Sequence, residues 1–166
     1  LIKKNIYQEN KLKEFTHLDS EGKVNMVDIS DKLPSARTAV AKSEIHAKKE
    51  TIDLIISNST AKGNVIETAK LTGIAAAKKT SELIFLCHPI KITGIEFNFN
   101  ICSTYIEIFC TVKATDKTGA EMEALTGASL AALAVYDMCK AYDKGMTISN
   151  TMLLKKTGGK SGDFSR

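Results

Sequence analysis

Residues 95–114 read IEFNFNICSTYIEIFCTVKA. Ile95, Phe97, Phe99 and Ile101 are apolar at odd positions. After the break at Ser103-Thr104, Ile106, Ile108, Cys110, Val112 and Ala114 are apolar at even positions. Successive side chains of a strand point to opposite faces, so each run has one apolar face. Two such runs joined by a short turn predict an antiparallel hairpin with one buried side. Ile90 and Ile92 have the other parity, and Gly94 sits at the switch, where a bulge or a strand start is expected. Helical patterns on both sides of this hairpin make the chain α+β.

On the C-terminal side comes GAEMEALTG, 119–127, followed by SLAALAVYDMCKAYDK. Gly119 can end a strand, and the good helix formers from Ala120 to Leu125 predict a helix over about 120–142. Glu121 and Glu123 then point ~200° apart, so one local role does not serve both. Complementing the positive end of the helix dipole is the plain reading for either of them alone. Ala124 to Tyr136 is apolar or small on every side, which predicts burial all round. Asp137 and Lys140 are i,i+3 neighbours, and a surface ion pair is the plain reading of that spacing. A final strand is expected over TISNTMLL, 147–154, and a mobile tail from about 156.

On the N-terminal side NMVDIS, 25–30, reads as a short strand, TAVAKSEIHA, 38–47, as a second, and ETIDLIIS, 50–57, as an amphipathic helix. Asn64 caps a helix over 65–84, with Glu67 at the capping-box position. Pro89 ends the segment after Leu86-Cys87-His88. Residues 1–14 are lysine-rich and weakly patterned, expected to be a mobile extension of a single domain over 15–166. The chain opens on Leu1 rather than Met, as in a processed or trimmed chain.

The 166 residues suit one domain with a real core. A net charge of +4 favours an anionic ligand and is too weak by itself to argue for nucleic acid. The four cysteines show neither C-x-x-C nor zinc-ligand spacing, which fits reduced thiols in a cytosolic protein. No apolar stretch has spanning length and no signal-peptide pattern is present, so membrane and secretion are excluded.

Several residues carry chemistry. Lys62 lies two residues before the Asn64 cap, where free N–H groups and a lysine make an anion site; a solvated loop lysine fits equally. His88 follows the 65–84 helix, whose negative end favours imidazolium, although a lone histidine is more often structural. His17 and His46 are too scattered to form a metal motif with it, and no metal is argued for. GGKSG, 158–162, is not a P-loop: the first glycine position is Leu154, and no helix can follow Ser161. A flap whose Lys160 closes on an anion is the remaining reading of that segment.

MVDISDK at 26–32, KGNV at 62–65, AKKTSELIFLCHPI at 77–90, KTGAEMEALTGASLAALAVYDMCKA at 117–141, DKGM at 143–146 and KTGGKSGDF at 156–164 stand in unbroken order. Together they resemble the cyclic pyranopterin monophosphate synthase family, the C proteins of molybdenum cofactor biosynthesis, from about Phe15 to the C-terminus. Phe85 stands where the family commonly has proline, Gly127 where alanine is common and Lys70 where arginine is frequent. The resemblance implies a ferredoxin-like α+β fold and a lyase that rebuilds cyclised dihydro-GTP as cyclic pyranopterin monophosphate and releases pyrophosphate. No cofactor is implied. It also implies a homohexamer, a trimer of dimers, with active sites between subunits. Carried over by motif, the catalytic residues are Lys62, Glu123, Asp137 and Lys140. The substrate contacts are Leu86, Cys87, His88, Glu121, Met122, Glu123 and Lys160, in part through backbone.

Elementary chemistry agrees with those roles. Lysines offset charge where pyrophosphate leaves, and carboxylates with a histidine move protons both ways. Glu123 and Asp137 are fourteen residues apart, hence ~21 Å along one helix, too far to share a reacting atom. Two half-sites are expected, each completed by a neighbouring subunit. A non-catalytic phosphate-binding module would keep Lys62, Lys140 and Lys160 without needing the acids. An RNA-reading sheet would need exposed aromatics, and only Tyr105 and Phe109 fall on the polar parity of the hairpin.

Overall fold

The computed structural model describes residues 21–160 and 162–166, so the extension expected at 1–14, the domain start at 15 and His17 lie outside the described residues. In chain order the elements are β1 (Ser35–His46), α1 (Lys49–Ile56), α2 (Val65–Lys78), α3 (Thr80–Leu83), β2 (Ile92–Ile101), β3 (Tyr105–Asp116), α4 (Glu121–Cys139), β4 (Thr147–Thr157) and β5 (Phe164–Ser165). All pairings are antiparallel, in the order β2-β3-β1-β4-β5. The succession β1-α2-β2-β3-α4-β4 is the β-α-β-β-α-β arrangement of ferredoxin-like folds, with α1 and β5 as additions.

The hairpin follows its alternation. Phe97 faces Cys110 and Ile101 faces Ile106 across β2 and β3, and the register slips between Ile92 and Gly94, where the parity changes. The even residues of β3, Ile106 to Ala114, are buried, together with Ala39, Ala41 and Ile45 of β1. α2 and α4 pack on this face and on each other. The opposite face of the central strands is polar. Glu44 accepts from Lys42 Nζ at 2.6 Å and Asn150 Nδ2 at 2.6 Å, which holds its carboxyl down at about 2. With Glu107 beside it, this face puts carboxylates where a nucleic-acid sheet would present aromatics to bases.

Several expectations are corrected. No strand forms over 25–30; Val24 makes only an isolated bridge. Asp28 Oδ1 accepts from Ser30 N at 2.8 Å and from its hydroxyl at 2.6 Å, and this local side-chain turn takes the place of a ladder. The helix expected over 65–84 breaks at Lys79 into α2 and α3. There the Thr80 hydroxyl donates back to Ala77 O at 3.0 Å and pulls the chain out of the α-helical path. Helix α4 stops at Cys139, short of 142, with Asp143 N and Tyr142 N both bonded to Cys139 O. Nor is it buried all round: Leu133 is 51% exposed and Met122 is also exposed, because the sheet and α2 cover only part of its circumference. β4 runs to Thr157, beyond 154, and the chain returns as β5 along Lys155 and Lys156.

α2 and α4 meet at two glycines over the Phe97 ring. A Cβ on Gly73 would run into that ring and come within 2.9 Å of Gly127 O, whereas a Cβ on Gly127 would meet the Cys110 Sγ at 2.8 Å and Gly73 O at 3.3 Å. Gly73→Ala should therefore lose roughly 1–3 kcal/mol, with the clash outweighing better helix propensity. Gly127→Ala should lose less, since a thiol side chain yields more easily than backbone. Thermal denaturation of both variants tests this, and a Gly73→Ala protein as stable as wild type would show that the helices slide apart at no cost.

Candidate active site

Two clusters of charged side chains lie at opposite ends of α4. The first is built on its N-terminus. Ala120 is the cap residue and makes no side-chain cap bond. Glu121 turns back beneath Gly119, where a Cβ would overlap its carboxylate. Its Oε1 lies 3.1 Å from Lys156 Nζ, which reaches in from β4. Glu123 points the other way and is only 4% exposed. Burial, then the charges of Glu121 and Asp116, push the Glu123 carboxyl up to about 7. The two acids of the same turn thus have opposite surroundings.

A cleft of about 1100 Å³ opens over this turn, lined by Glu121, Met122, Glu123, Cys87, His88 and Lys160. His88 follows the end of α3 by five residues, set by the turn that Cys87 N closes on Ile84 O at 2.9 Å. Burial, then Glu123, raises the Cys87 thiol, which keeps it protonated. Leu86 is half-buried and does not line the cleft.

The cleft also holds residues that motif spacing did not single out: Asp31, Lys32, Arg37 and Lys117. Arg37 donates from Nε to Asp116 O at 3.3 Å and from Nη2 to Lys117 O at 3.2 Å. Gly159, at φ +88°, packs where a Cβ would overlap the Arg37 guanidinium, and Gly158, also at φ +88°, packs against Ala36 O. The tail glycines therefore serve close passage over β1, which carries Lys160 to the cleft. Asp31, Lys32 and Lys117 lie within quoted motif blocks; Arg37 has no local signal.

The second cluster joins the other end of α4 to the start of α2. Asn64 caps α2 through Glu67 N at 3.0 Å, while the Glu67 carboxylate lies 3.6 Å from Lys70 Nζ. In the turn before the cap, Lys62 Nζ donates to Asp137 O at 2.9 Å and to Asp137 Oδ2 at 3.0 Å. Lys140 Nζ lies 2.6 Å from Asp137 Oδ1. Lys140 and then Lys62 lower the Asp137 pKa, so it is ionised at neutral pH, and Asp137 raises that of Lys140. Two cations around one carboxylate leave a net positive, half-exposed patch. None of Lys62, Asp137 and Lys140 lines the cleft. Within one chain the structure brings Cys87, His88, Glu121, Met122, Glu123 and Lys160 together and keeps the other three apart.

Among the described residues no three His, Cys, Asp or Glu side chains gather as a metal-binding set, and no helix is long and apolar enough to cross a membrane. The fold and the two clusters define a ferredoxin-like α+β protein with lysines gathered at both ends of α4 and a buried carboxyl pushed up to about 7. The chain belongs to the MoaC family, whose model matches residues 26–159. It is 49% identical over 159 residues to a protein of Halalkalibacterium halodurans, covering 93% of this chain and 96% of that one. It is 52% identical over 154 residues to one of Desulfitobacterium hafniense, covering 92% and 94%. With one of Staphylococcus aureus it shares 51% identity over 158 residues, covering 92% and 96%. Each of the three is named cyclic pyranopterin monophosphate synthase.

The raised Glu123 carboxyl makes stability depend on pH. Below 4.5 both folded and unfolded chains hold its proton; between 4.5 and about 7 only the folded chain does, so its contribution to stability is lost as pH rises through that window. Glu123→Gln removes the effect. The variant should gain on wild type by roughly 1–3 kcal/mol between pH 5 and pH 8. Parallel melting curves of the two proteins over that range check this; a constant difference would place the Glu123 titration elsewhere.

Proposed function

We propose that this chain converts (8S)-3',8-cyclo-7,8-dihydroguanosine 5'-triphosphate to cyclic pyranopterin monophosphate and pyrophosphate, at a site that two copies of the chain build together. The observation that carries the shared site is the separation of the clusters. Fourteen residues of α4 hold Glu123 and Asp137 ~21 Å apart, and the cleft contains the first without the second. Between the clusters α4 leaves Leu133 exposed, and Met122 is exposed at the edge of the first. A second chain with its α4 turned end for end covers that stripe and carries its own Lys62, Asp137 and Lys140 to the Glu123 cleft. Symmetry then makes two such sites per dimer. Three dimers assemble as a cytoplasmic homohexamer, without nucleic acid or membrane.

In that site the residues divide the work by their surroundings. Lys160 from the tail and Lys62 and Lys140 from the other chain supply positive charge where pyrophosphate leaves and stabilise the charge that develops there. Arg37 adds a charge fixed by two backbone carbonyls. Asp137 is held ionised between its lysines and accepts a proton; Glu123, titrating near 7, gives and takes protons as the purine-derived ring opens and recloses. His88, Cys87, Leu86, Glu121 and Met122 seat the substrate, partly through backbone. No cofactor is needed for proton movement and loss of pyrophosphate.

Asp137→Asn keeps the shape and removes the base. Product formation from the cyclised dihydro-GTP should fall roughly 100-fold or more, with folding intact by circular dichroism. Near-wild-type turnover would remove Asp137 from the mechanism.

The shared site is tested by complementation. Glu123→Ala and Asp137→Asn chains, each inactive alone, are mixed and refolded. With random pairing half the dimers are mixed and each carries one intact site of two, so about a quarter of wild-type activity should return. Mixed samples with proven subunit exchange that stay as inactive as their parents would show that each site is built within one chain.

A further inference from the structure

Tyr142 falls between the motif blocks that end at Ala141 and begin at Asp143. It stands two residues past Lys140, where α4 has just ended and Tyr142 N bonds to Cys139 O at 2.8 Å. Its ring is 42% exposed, so it is not a core residue. Its hydroxyl is nonetheless engaged, accepting from Ala61 N at 2.9 Å. Ala61 immediately precedes Lys62.

The turn that carries Lys62 is closed on itself. Gly63 N bonds to Thr60 O at 3.1 Å, and the Thr60 hydroxyl donates to Gly63 O at 2.6 Å, with Gly63 at φ +89°. Ala61 and Lys62 are thus the two central residues of a β-turn. Such a turn moves as a unit. The lysine at its tip is a long chain with several free rotors, and pointing its ammonium at one place costs entropy unless the backbone is also held. The Tyr142 hydroxyl supplies that hold: it ties the backbone one residue before Lys62 to the same end of α4 that Lys62 Nζ meets through Asp137.

We propose that Tyr142 is a positioning residue, which fixes the Thr60–Gly63 turn against the end of α4 so that Lys62 is aimed together with Asp137 and Lys140. It acts through Lys62, without touching substrate. The inference rests on the reading of Lys62 as part of the working site. Because Lys62 is assigned to the charge that develops on the departing pyrophosphate, loosening it lowers kcat more than it changes KM.

The test removes the same hydrogen bond from both sides. Tyr142→Phe deletes the acceptor and keeps the ring. Ala61→Pro deletes the donor at a turn position where proline is favoured. In the full-length assembled protein each change should lower kcat about 3- to 10-fold, with KM for the cyclised dihydro-GTP within about twofold, as follows from one net hydrogen bond. The double variant should be no worse than the poorer single one, since both cut one link. Amide exchange over 58–64 should accelerate in Tyr142→Phe while that over 84–90, at the other cluster, stays as in wild type. Unchanged kcat in both variants, additive losses, or lost kcat with unaltered exchange over 58–64 would each overturn the proposal. Wild-type protein in the same assay separates the two readings. If it makes no product the proposed activity fails, while the exchange measurement still decides whether Tyr142 holds the turn; unaltered exchange there overturns the tie.

Discussion

The rise of an α-helix sets a length that the rest of this protein obeys. α4 is a stiff rod whose alanines and glycine let it lie close on the sheet and on α2. Whatever its two ends do, they do ~21 Å apart. The N-terminal end receives the tail, the segment that leads into β1 and the turn before Pro89. The C-terminal end receives the turn before α2. Each gathering of charge follows from where a loop of the β-α-β-β-α-β arrangement passes an end of that rod. Within one chain the two gatherings stay apart.

The same helix shows how place decides what a carboxyl does. Glu121 and Glu123 share a turn and a residue family, yet one lies beside a lysine ammonium and the other is buried with two further negative charges acting on it. Asp137, at the far end, is half-exposed between two lysines and is held ionised. Burial without a counter-charge raises a carboxyl pKa, and adjacent cations lower it. This fold holds one carboxyl of each kind at opposite ends of one element.

The tail illustrates a different use of glycine. KTGGKSGDF looks like a phosphate-binding loop in composition, but its glycines at 158 and 159 adopt positive φ so that the backbone can cross β1 and the Arg37 guanidinium. That crossing brings Lys160 to the cleft. Arg37 is held by carbonyls on its other side, so the passage of the tail and the direction of the guanidinium depend on each other.

Side-chain period and local residue chemistry determined the hairpin, its register change at Gly94, the Asn64 cap and the long helix after Gly119, because those features depend on near neighbours in the chain. It also determined that Glu123 and Asp137 stand far apart, since helical rise is fixed. Local competition misled it at 25–30 and at Thr80, where short side chains bond to nearby backbone in ways that a hydrophobic pattern does not record. Only the tertiary structure decided that Glu123 is buried while Glu121 meets Lys156, that Arg37 enters the cleft, and that Tyr142 holds the turn of Lys62. Those contacts join residues far apart in the chain. Their energies come from desolvation and from bonds across space, which no stretch of sequence contains until the sheet has brought its ends together.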